Sequence, residues 1–433
     1  MRLFKSLRPL LLTALTLSSS MTMSYDIVER ATLIDDRFKT MEMMRPFGHD
    51  FVLPDLNATI STNILDLQDA VEEIDNLNFD DNETEQAIDS INNSLNEFFN
   101  KEQVLRANFG IQIPIFSFTA GDFNIKPRIK TNFNLIAVLT PRTEKLSFTD
   151  VVNNLDQIPA ELRSALADCI AGLDSTDDGK DLLDPATGCV TQAQANQIKE
   201  AYDITELEFD TQVLTGTNDI PVIDTYVKAD LRAGLWFDYE KDTKDWFGTF
   251  GLYALGRADL KVKADAALLL AGAGDTEVSN NMLLNAVIDY RLGYRYENYS
   301  FQGSVEELKL TELSREEEGR APAYGTDALL RFHADALYEL SFLKIKPFLG
   351  THKRGDYGFG DGFYAGADTS FHFFEDRIGM TIRTMVDQEH FTLGLNTKLW
   401  VMFIDLNGKF AVKDEIDGFK VNNYYYANIR FFF

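Results

Sequence analysis

The 433-residue sequence lacks three features, and each absence excludes a class of protein. Beyond the first 24 residues no segment offers about 20 uninterrupted apolar residues, so a membrane-spanning helix is excluded; the longest apolar stretch is 264–274. Basic residues are scarce: 41 Lys and Arg against 68 Asp and Glu give a formal charge of −27, which argues against a nucleic-acid partner. We also find no nucleotide-binding loop, no zinc-ligand spacing and no glycine-rich phosphate loop.

The N-terminus has the organisation of a secretory signal peptide. Arg2, Lys5 and Arg8 precede an apolar run at 9–17, and small residues follow at 18–20 and at Ser24. The run is too short to cross a bilayer as a helix. We therefore predict that residues 1–24 are a cleaved signal and that the chain is exported.

The last ten residues alternate between apolar and polar side chains. Tyr425, Ala427, Ile429, Phe431 and Phe433 share one face, whereas Tyr424, Asn428 and Arg430 share the other. This pattern, ending on a terminal Phe, resembles the closing strand of an outer-membrane β-barrel. The alternative is an edge strand of a soluble sheet, although exposed aromatics at a chain end would then favour aggregation. The resemblance implies that Tyr425, Ile429, Phe431 and Phe433 form the signal for the membrane-insertion machinery.

Period-two alternation recurs along the chain and predicts an all-β transmembrane barrel of about 14 antiparallel strands. The predicted strands are 105–118, 128–139, 206–214, 222–240, 247–263, 283–297, 299–310, 328–342, 344–354, 363–374, 377–387, 391–403, 405–413 and 421–433. Strand 206–214 is the weakest, and the count lies between 12 and 14. In strand 299–310 the apolar face switches near Glu306, which predicts a β-bulge.

The predicted turns alternate between tight and long, as in bacterial barrels with short periplasmic turns and long external loops. An even strand count places both chain ends on the periplasmic side.

Acidic residues divide the chain into three parts. Residues 25–104 hold 19 acidic and 5 basic residues, and 141–205 hold 12 and 5. We predict a helical N-terminal region at 25–104, a barrel at 105–433, and a helical insertion at 141–205 on the periplasmic side.

The acidic N-terminal region has two candidate roles. Amphipathic helices within 64–74 and 88–99 form either a plug in the barrel lumen or a periplasmic hairpin that binds a partner. Basic residues on the predicted inward faces favour the plug, although they also suit a water-filled pore. These candidate plug contacts are Lys344, Lys346, Arg354, Arg377, Arg383, Lys398, Lys409, Lys413 and Arg430.

The insertion contains both cysteines and an acidic loop. Cys169 and Cys189 predict a disulfide, because the exported chain meets an oxidising compartment. Between them, Asp174, Thr176 and Asp178 follow the spacing of a calcium loop, with Asp184 as a substitute for the missing final ligand. The alternative is a solvated acidic turn; we expect no other cofactor.

Two short segments carry a resemblance to known families. Phe51-Val52-Leu53-Pro54-Asp55-Leu56 and the segment 63–70 are similar to the stretch before the barrel in TraF-like conjugal-transfer outer-membrane proteins. The overall organisation is more distantly similar to the long-chain fatty-acid transporter (FadL-like) family. The Asn-Pro-Ala motif of that family is missing here, so no functional residue is carried across.

Together these features predict passive passage of a small, apolar solute through a plugged lumen in the outer membrane of a Gram-negative bacterium. The alternatives are an assembly component of a conjugation or secretion apparatus, with a periplasmic protein partner, or an open porin. The five histidines have no accompanying serine signature, so we predict no enzymatic activity.

Overall fold

The computed structural model describes residues 26–44, 50–64, 66–67, 95–145, 191–194, 196, 219–265, 277–318, 327–340, 343–355, 357–373, 378–416 and 418–433. Its main element is one antiparallel sheet that closes on itself into a barrel of 14 strands. This confirms the predicted fold class. Within the described ranges, no helix is long and apolar enough to span a membrane.

The elements run in simple chain order around the barrel. One helix, α1 (Ile27–Met43), precedes the strands. The strands are β1 (Val52–Ser61), β2 (Gln103–Pro114, continued by Phe118–Ala120), β3 (Phe123–Lys145), β4 (Asp219–Lys241), β5 (Trp246–Asp265), β6 (Glu277–Tyr296), β7 (Tyr299–Glu318), β8 (Leu329–Ala336, continued by Tyr338–Leu340), β9 (Leu343–Lys353), β10 (Tyr364–Phe373), β11 (Ile378–Asp387), β12 (His390–Leu399), β13 (Met402–Ala411) and β14 (Tyr424–Phe432). A small hairpin, Glu415–Ile416 with Phe419–Lys420, lies between β13 and β14.

Strand β1 closes the barrel, and the sequence prediction missed it. It pairs with β14 on one side, where Ala58 faces Ala427, and with β2 on the other, where Ala58 faces Ala107. The prediction of 25–104 as a helical region is therefore wrong for Val52–Ser61. The segment 206–214 lies outside the described residues, and β3 pairs directly with β4. The 14 strands of the described barrel therefore include β1, which the prediction lacked, and do not include 206–214.

The strands alternate between a lumen face and an outer face. In β14, Tyr424, Tyr426 and Asn428 are buried, whereas Tyr425 and Ile429 are 52% and 42% exposed. This confirms the predicted alternation of the last strand. The outer face carries large apolar side chains on strand after strand, which water would disfavour and lipid would accept. Examples are Phe109, Ile129, Leu231, Leu252, Leu284, Leu349, Leu393 and Leu406.

The predicted bulge in β7 is confirmed. Ile288 pairs with Leu308 and Tyr290 pairs with Val305, so Asp289 alone faces two residues, Glu306 and Glu307. The extra residue turns Glu307 into the lumen, where it is 3% exposed. Its backbone adopts a left-handed conformation (φ 57°), and its N–H donates to Asp289 Oδ1 at 2.8 Å.

The two barrel ends differ in the lengths of their connections. One end has short turns, at 242–245, 297–298 and 400–401, and also carries Phe433. The opposite end carries the long connections, including 62–102, 146–218 and 266–276. The paired ends of β3 and β4, Lys145 and Asp219, lie at the end away from Phe433. The residues between them lie mostly outside the described ranges, and the helical, periplasmic insertion stays a prediction.

Candidate functional site

Helix α1 lies inside the barrel and occupies its lumen. Asp26 caps its N-terminus by accepting a hydrogen bond from the Val28 N–H at 2.9 Å. Apolar and charged residues on several sides of the helix are buried: Ile27, Val28, Ala31, Leu33, Ile34, Asp35, Asp36, Arg37, Phe38 and Met41. Its 17 residues extend over about 25 Å, at about 1.5 Å per residue, which matches the height of about 25 Å of the apolar band of an outer-membrane barrel.

The N-terminal half of the helix is held near the end that carries the long loops. The guanidinium of Arg30 bridges Glu102, just before β2, at 2.7 Å and Glu389, in the turn before β12, at 2.8 Å. Arg37 pairs with the same Glu389 at 2.7 Å and donates to the Asp361 carbonyl at 2.9 Å. The basic residues of the helix are therefore matched by acids at this rim.

The acidic residues of the helix are matched by bases on the wall. Asp35, which is fully buried, accepts from Arg106 Nε on β2 at 2.9 Å and from Lys228 Nζ on β4 at 2.8 Å. Lys39, one turn along the helix, also lies 2.9 Å from Asp35. Glu42 pairs with Arg106 at 2.6 Å. This cluster anchors the helix to two strands.

A second anchor lies on the opposite wall. Asp36 accepts from Arg354 Nε at 2.7 Å and from the Tyr357 hydroxyl at 2.8 Å. Arg354 also donates to Glu307 at 2.6 Å, and Lys39 lies 3.4 Å from Glu307. Because the bulge in β7 brings Glu307 inward, a feature of the wall backbone contributes directly to the binding of the helix.

Apolar side chains of the helix, among them Ile34, Phe38 and Met41, pack against apolar and aromatic side chains of the wall. The Phe38 ring stacks on Tyr426 with centroids 6.0 Å apart and meets the edge of Tyr424 at 6.1 Å, both on β14. The Lys409 ammonium lies 5.4 Å from the centroid of the same ring. A cation over an aromatic face is attracted to it. The Phe38 ring can therefore lie favourably beside the charged Lys409 side chain of the wall.

Neighbouring bases favour the ionised form of two acids of the helix, Asp35 and Asp36. Burial alone would raise the pKa of Asp35, but Lys228, Lys39 and Arg106 outweigh it and hold that pKa well below its usual value. Burial likewise opposes the effect of Arg354 and Lys39 on Asp36, and its pKa is lowered. At the rim, Arg30 and Arg37 overcome burial and lower the pKa of Glu389. The helix is thus held by charged groups rather than neutral ones.

Two neighbouring cavities lie beside and beyond the C-terminal half of the helix. The luminal cavity, of about 180 Å³, lies between the helix and the wall that includes β3, β4 and β6; Lys39, Glu42 and Met43 line it from the helix. The vestibule, of about 590 Å³, lies beyond Met43 and Met44 toward the barrel end that carries Phe433. Polar and charged side chains make up most of the lining of both cavities, beside apolar ones such as Trp236 and Phe403.

Three of the predicted wall residues touch the helix. Arg354 binds Asp36 as described, and Lys409 lies over Phe38 while pairing with Asp387 at 2.8 Å. Arg383 pairs with Asp368 at 2.8 Å and donates to the Met41 carbonyl at 3.3 Å.

The other predicted wall residues have different partners or positions. Lys344 pairs with Glu339 at 3.1 Å, Lys346 with Asp335 at 3.4 Å and Arg430 with Asp55 at 2.5 Å. Lys398 lies 5.7 Å from the Phe432 ring centroid. Lys413 is exposed in the connection after β13, and Arg377 lies outside the described residues.

Several further predictions concern residues that the structure does not describe. Cys169, Cys189 and the calcium-loop candidates Asp174, Thr176, Asp178 and Asp184 all lie outside the described ranges, as does the predicted signal peptide. Among the described residues, no group of three or more His, Cys, Asp or Glu side chains could hold a metal ion. Of the predicted insertion signal, Tyr425, Ile429 and Phe433 are exposed on the outer face.

Sequence reasoning missed helix α1 and its partners. Two signals in the sequence could have found it: Asp26 at a capping position and 17 following residues without Gly or Pro, ended by Arg45-Pro46. The wall partners Arg106, Lys228 and Glu307 each lie on an inward face, but their pairing with one helix depends on the closed barrel.

Comparison with known proteins finds similar structures at low similarity. No protein-family model matches the chain, and no curated protein does. One similar solved structure is the beta domain of the Bordetella autotransporter BrkA, at 7% identity and a TM-score of 0.31, with 89% of this chain and 100% of that one covered. Another is CdiB from Acinetobacter baumannii, at 7% identity and a TM-score of 0.31, with 90% of this chain and 61% of that one covered. The toluene transporter TodX from P. putida is also similar, at 8% identity and a TM-score of 0.28, with 76% of this chain and 68% of that one covered. At these values the likenesses carry no inference about function, and the barrel is established by its own strand pairing.

Proposed function

We propose that this chain is an outer-membrane channel that its own N-terminal helix closes, and that solutes pass when the helix leaves the lumen. The observation that carries the proposal is the position of α1, a charged helix bound at Asp35 and Asp36 to opposite walls of a closed barrel. The helix also packs apolar side chains, among them Ile34 and Met41, against the wall, but its ion pairs are contacts that water can replace on release. The proposal places the chain in the outer membrane of a Gram-negative bacterium, inserted after removal of residues 1–24.

The polar lining of both cavities favours a small polar or charged solute. Catalysis forms no part of the proposal: His333 and His352 contact the hydroxyls of Tyr364 and Tyr357, at 3.0 and 3.1 Å, rather than a serine. The proposed partners are lipid, the barrel-insertion machinery and the solute itself.

Ion conductance in a planar lipid bilayer tests the proposal. The intact mature protein is compared with a version that lacks residues 26–44, which contain the whole helix but leave β1 in place. A deletion of 25–104 would be unsuitable, because it removes a barrel strand. Each protein is first checked for a folded barrel by its resistance to heat in gel electrophoresis.

The proposal expects a silent intact protein and stable channels after the deletion. Stable channels in the intact protein would instead identify an open porin. Two silent, folded proteins would refute a channel and favour a structural or assembly role.

A further inference from the structure

The basic residues around the luminal cavity outnumber the acids. Six bases and four acids line the cavity: Lys39, Arg128, Lys130, Arg232, Arg291 and Arg430, against Glu42, Asp55, Asp289 and Glu306. The vestibule continues the imbalance, with Lys126, Arg128, Arg291, Arg295, Lys344, Lys346 and Arg383 against Asp238, Glu240 and Asp368. In a chain with a net charge of −27, this is a local reversal of sign.

The acids near the cavity already have partners. Glu42 pairs with Arg106, Asp55 pairs with Arg430, and Glu306 lies 3.4 Å from Arg331. Asp289 accepts hydrogen bonds from the Tyr253 hydroxyl at 2.7 Å and from the Glu307 N–H at 2.8 Å. Asp55 thus neutralises Arg430, one of the six cavity bases, whereas Glu42 and Glu306 pair with arginines outside the cavity lining.

Two of the bases have no carboxylate partner. Within the described part of the chain, neither Lys130 nor Arg291 forms an ion pair within 4 Å, and the Lys130 ammonium contacts only the Trp236 ring, at 5.8 Å from its centroid. The Nε atom of Arg291 is buried without a hydrogen-bond partner, and so are those of Arg128 and Arg232. Buried guanidinium donors normally find an acceptor, so this lining has unused capacity to bind one.

The same bases lie close enough to repel one another. Arg128, Lys130, Arg232 and Arg291 all line one cavity of about 180 Å³, and among the described residues only Arg128 and Arg232 of these four pair with a carboxylate, that of Asp238 and that of Glu307 respectively. Such repulsion is relieved by an anion bound between the charges. Arg128 and Arg291 line both cavities, so a solute in the vestibule would reach the luminal cavity past these two side chains.

We infer that the luminal cavity is a binding site for a small solute carrying a carboxylate or phosphate group, held chiefly by Lys130 and Arg291. Arginine and lysine are the side chains that proteins use to bind such oxyanions. The inference rests on the proposed function, for which it supplies the class of solute. According to this inference, the anion enters from the vestibule and binds in the luminal cavity, beside the C-terminal half of α1.

Equilibrium binding to the closed protein tests this inference independently of conductance. Inorganic phosphate and succinate are titrated calorimetrically into the intact protein in low salt at pH 7, with choline chloride as the reference. We expect saturable binding of both oxyanions. A variant with Lys130→Gln and Arg291→Gln should bind at least about tenfold more weakly, because two charge-assisted donors are lost.

A charge-matched control removes the same two charges elsewhere. Lys309→Gln with Arg315→Gln lies in the partly exposed cluster around Glu312 and should leave the affinity unchanged. Absence of saturable binding in the intact protein, or equal affinity in the Lys130 and Arg291 variant, would overturn the inference.

Selenate soaked into crystals of the unaltered protein gives a second readout that does not depend on folding of a variant. Anomalous density within hydrogen-bond distance of Lys130 and Arg291 is the expected result, and density elsewhere alone would count against the site. Neither the titration nor the soak requires the channel to open. If the protein conducts after deletion of the helix but binds no oxyanion, the channel stands and the binding site fails; if it binds oxyanions but never conducts, the reverse holds.

Discussion

Replacing Asp35 by Asn should release the helix from the lumen. The substitution preserves the size of the side chain but removes the negative charge that faces Arg106 at 2.9 Å, Lys228 at 2.8 Å and Lys39 at 2.9 Å. Arg106 keeps its contact with Glu42, and Lys39 keeps Glu307. The site nevertheless keeps three positive charges in a region with almost no exposure to solvent.

The magnitude follows from the burial of these groups. Removing one partner of a buried ion pair costs about 3–5 kcal/mol, because the opposite charge remains desolvated. Asn retains an oxygen acceptor, so we take the lower value, about 3 kcal/mol. At about 1.4 kcal/mol per factor of ten, the ratio of docked to released helix should fall by more than about 100-fold.

Two assays on the Asp35→Asn protein check this estimate. Single-channel recording should show a large increase in open probability, and hydrogen exchange should show faster exchange of the backbone amides of α1 with unchanged protection of the barrel strands. Glu312→Gln is the matched control, because it removes one carboxylate from a partly exposed cluster on β7. If Asp35→Asn leaves both the open probability and the exchange of α1 unchanged, the ion pairs do not hold the helix and the reasoning is refuted.

Three further predictions concern the same helix. Phe38→Ala should weaken docking by about 3 kcal/mol, since it removes a buried ring from Tyr424 and Tyr426; hydrogen exchange of α1 measures the loss. Docking lowers the pKa values of Asp35 and Asp36, so their contribution to the stability of the docked helix is complete above about pH 4 and is lost as pH falls below it. Conductance should therefore rise at pH 3 relative to pH 7. Lys409→Gln should raise the amide exchange of α1, whereas Lys398→Gln should not, because only the first side chain contacts Phe38; equal exchange in the two variants would contradict this assignment.

The barrel could be predicted from the sequence because its main signal is local. Alternation with period two is written into each strand, and even the bulge near Glu306 appears as a switch of the apolar face. Strand β1 escaped prediction because only part of Val52–Ser61 alternates and an acidic segment follows it. Its pairing with β14 connects residues more than 360 positions apart, as in Ala58 opposite Ala427. No local pattern encodes that closure.

The site was harder to predict because its contacts depend on the closed barrel. A surplus of acid in residues 25–104 and of base on the wall suggested attraction, but the sequence does not say which acids enter the lumen. The predicted plug helices lie within 64–74 and 88–99, most of which is outside the described residues, whereas the helix in the lumen is Ile27–Met43. Glu307 could not be assigned either, because its inward direction depends on the bulge.

The chemistry of the contact between helix and wall suits reversible closure. An apolar helix in an apolar lumen would be held by burial alone, and its release would expose that surface to water at about 25 cal/mol per Å². Here Asp35, Asp36, Arg30 and Arg37 leave charged partners on the wall, and on release both sides are rehydrated as water fills the lumen. The free energy of release is thus a small difference between two large terms, the loss of the ion pairs and the gain of hydration of the same charges. An anion in the luminal cavity would lie beside Lys39 and Glu42 of the helix and would change that difference through their charges, so solute binding and helix release are expected to be coupled in both directions.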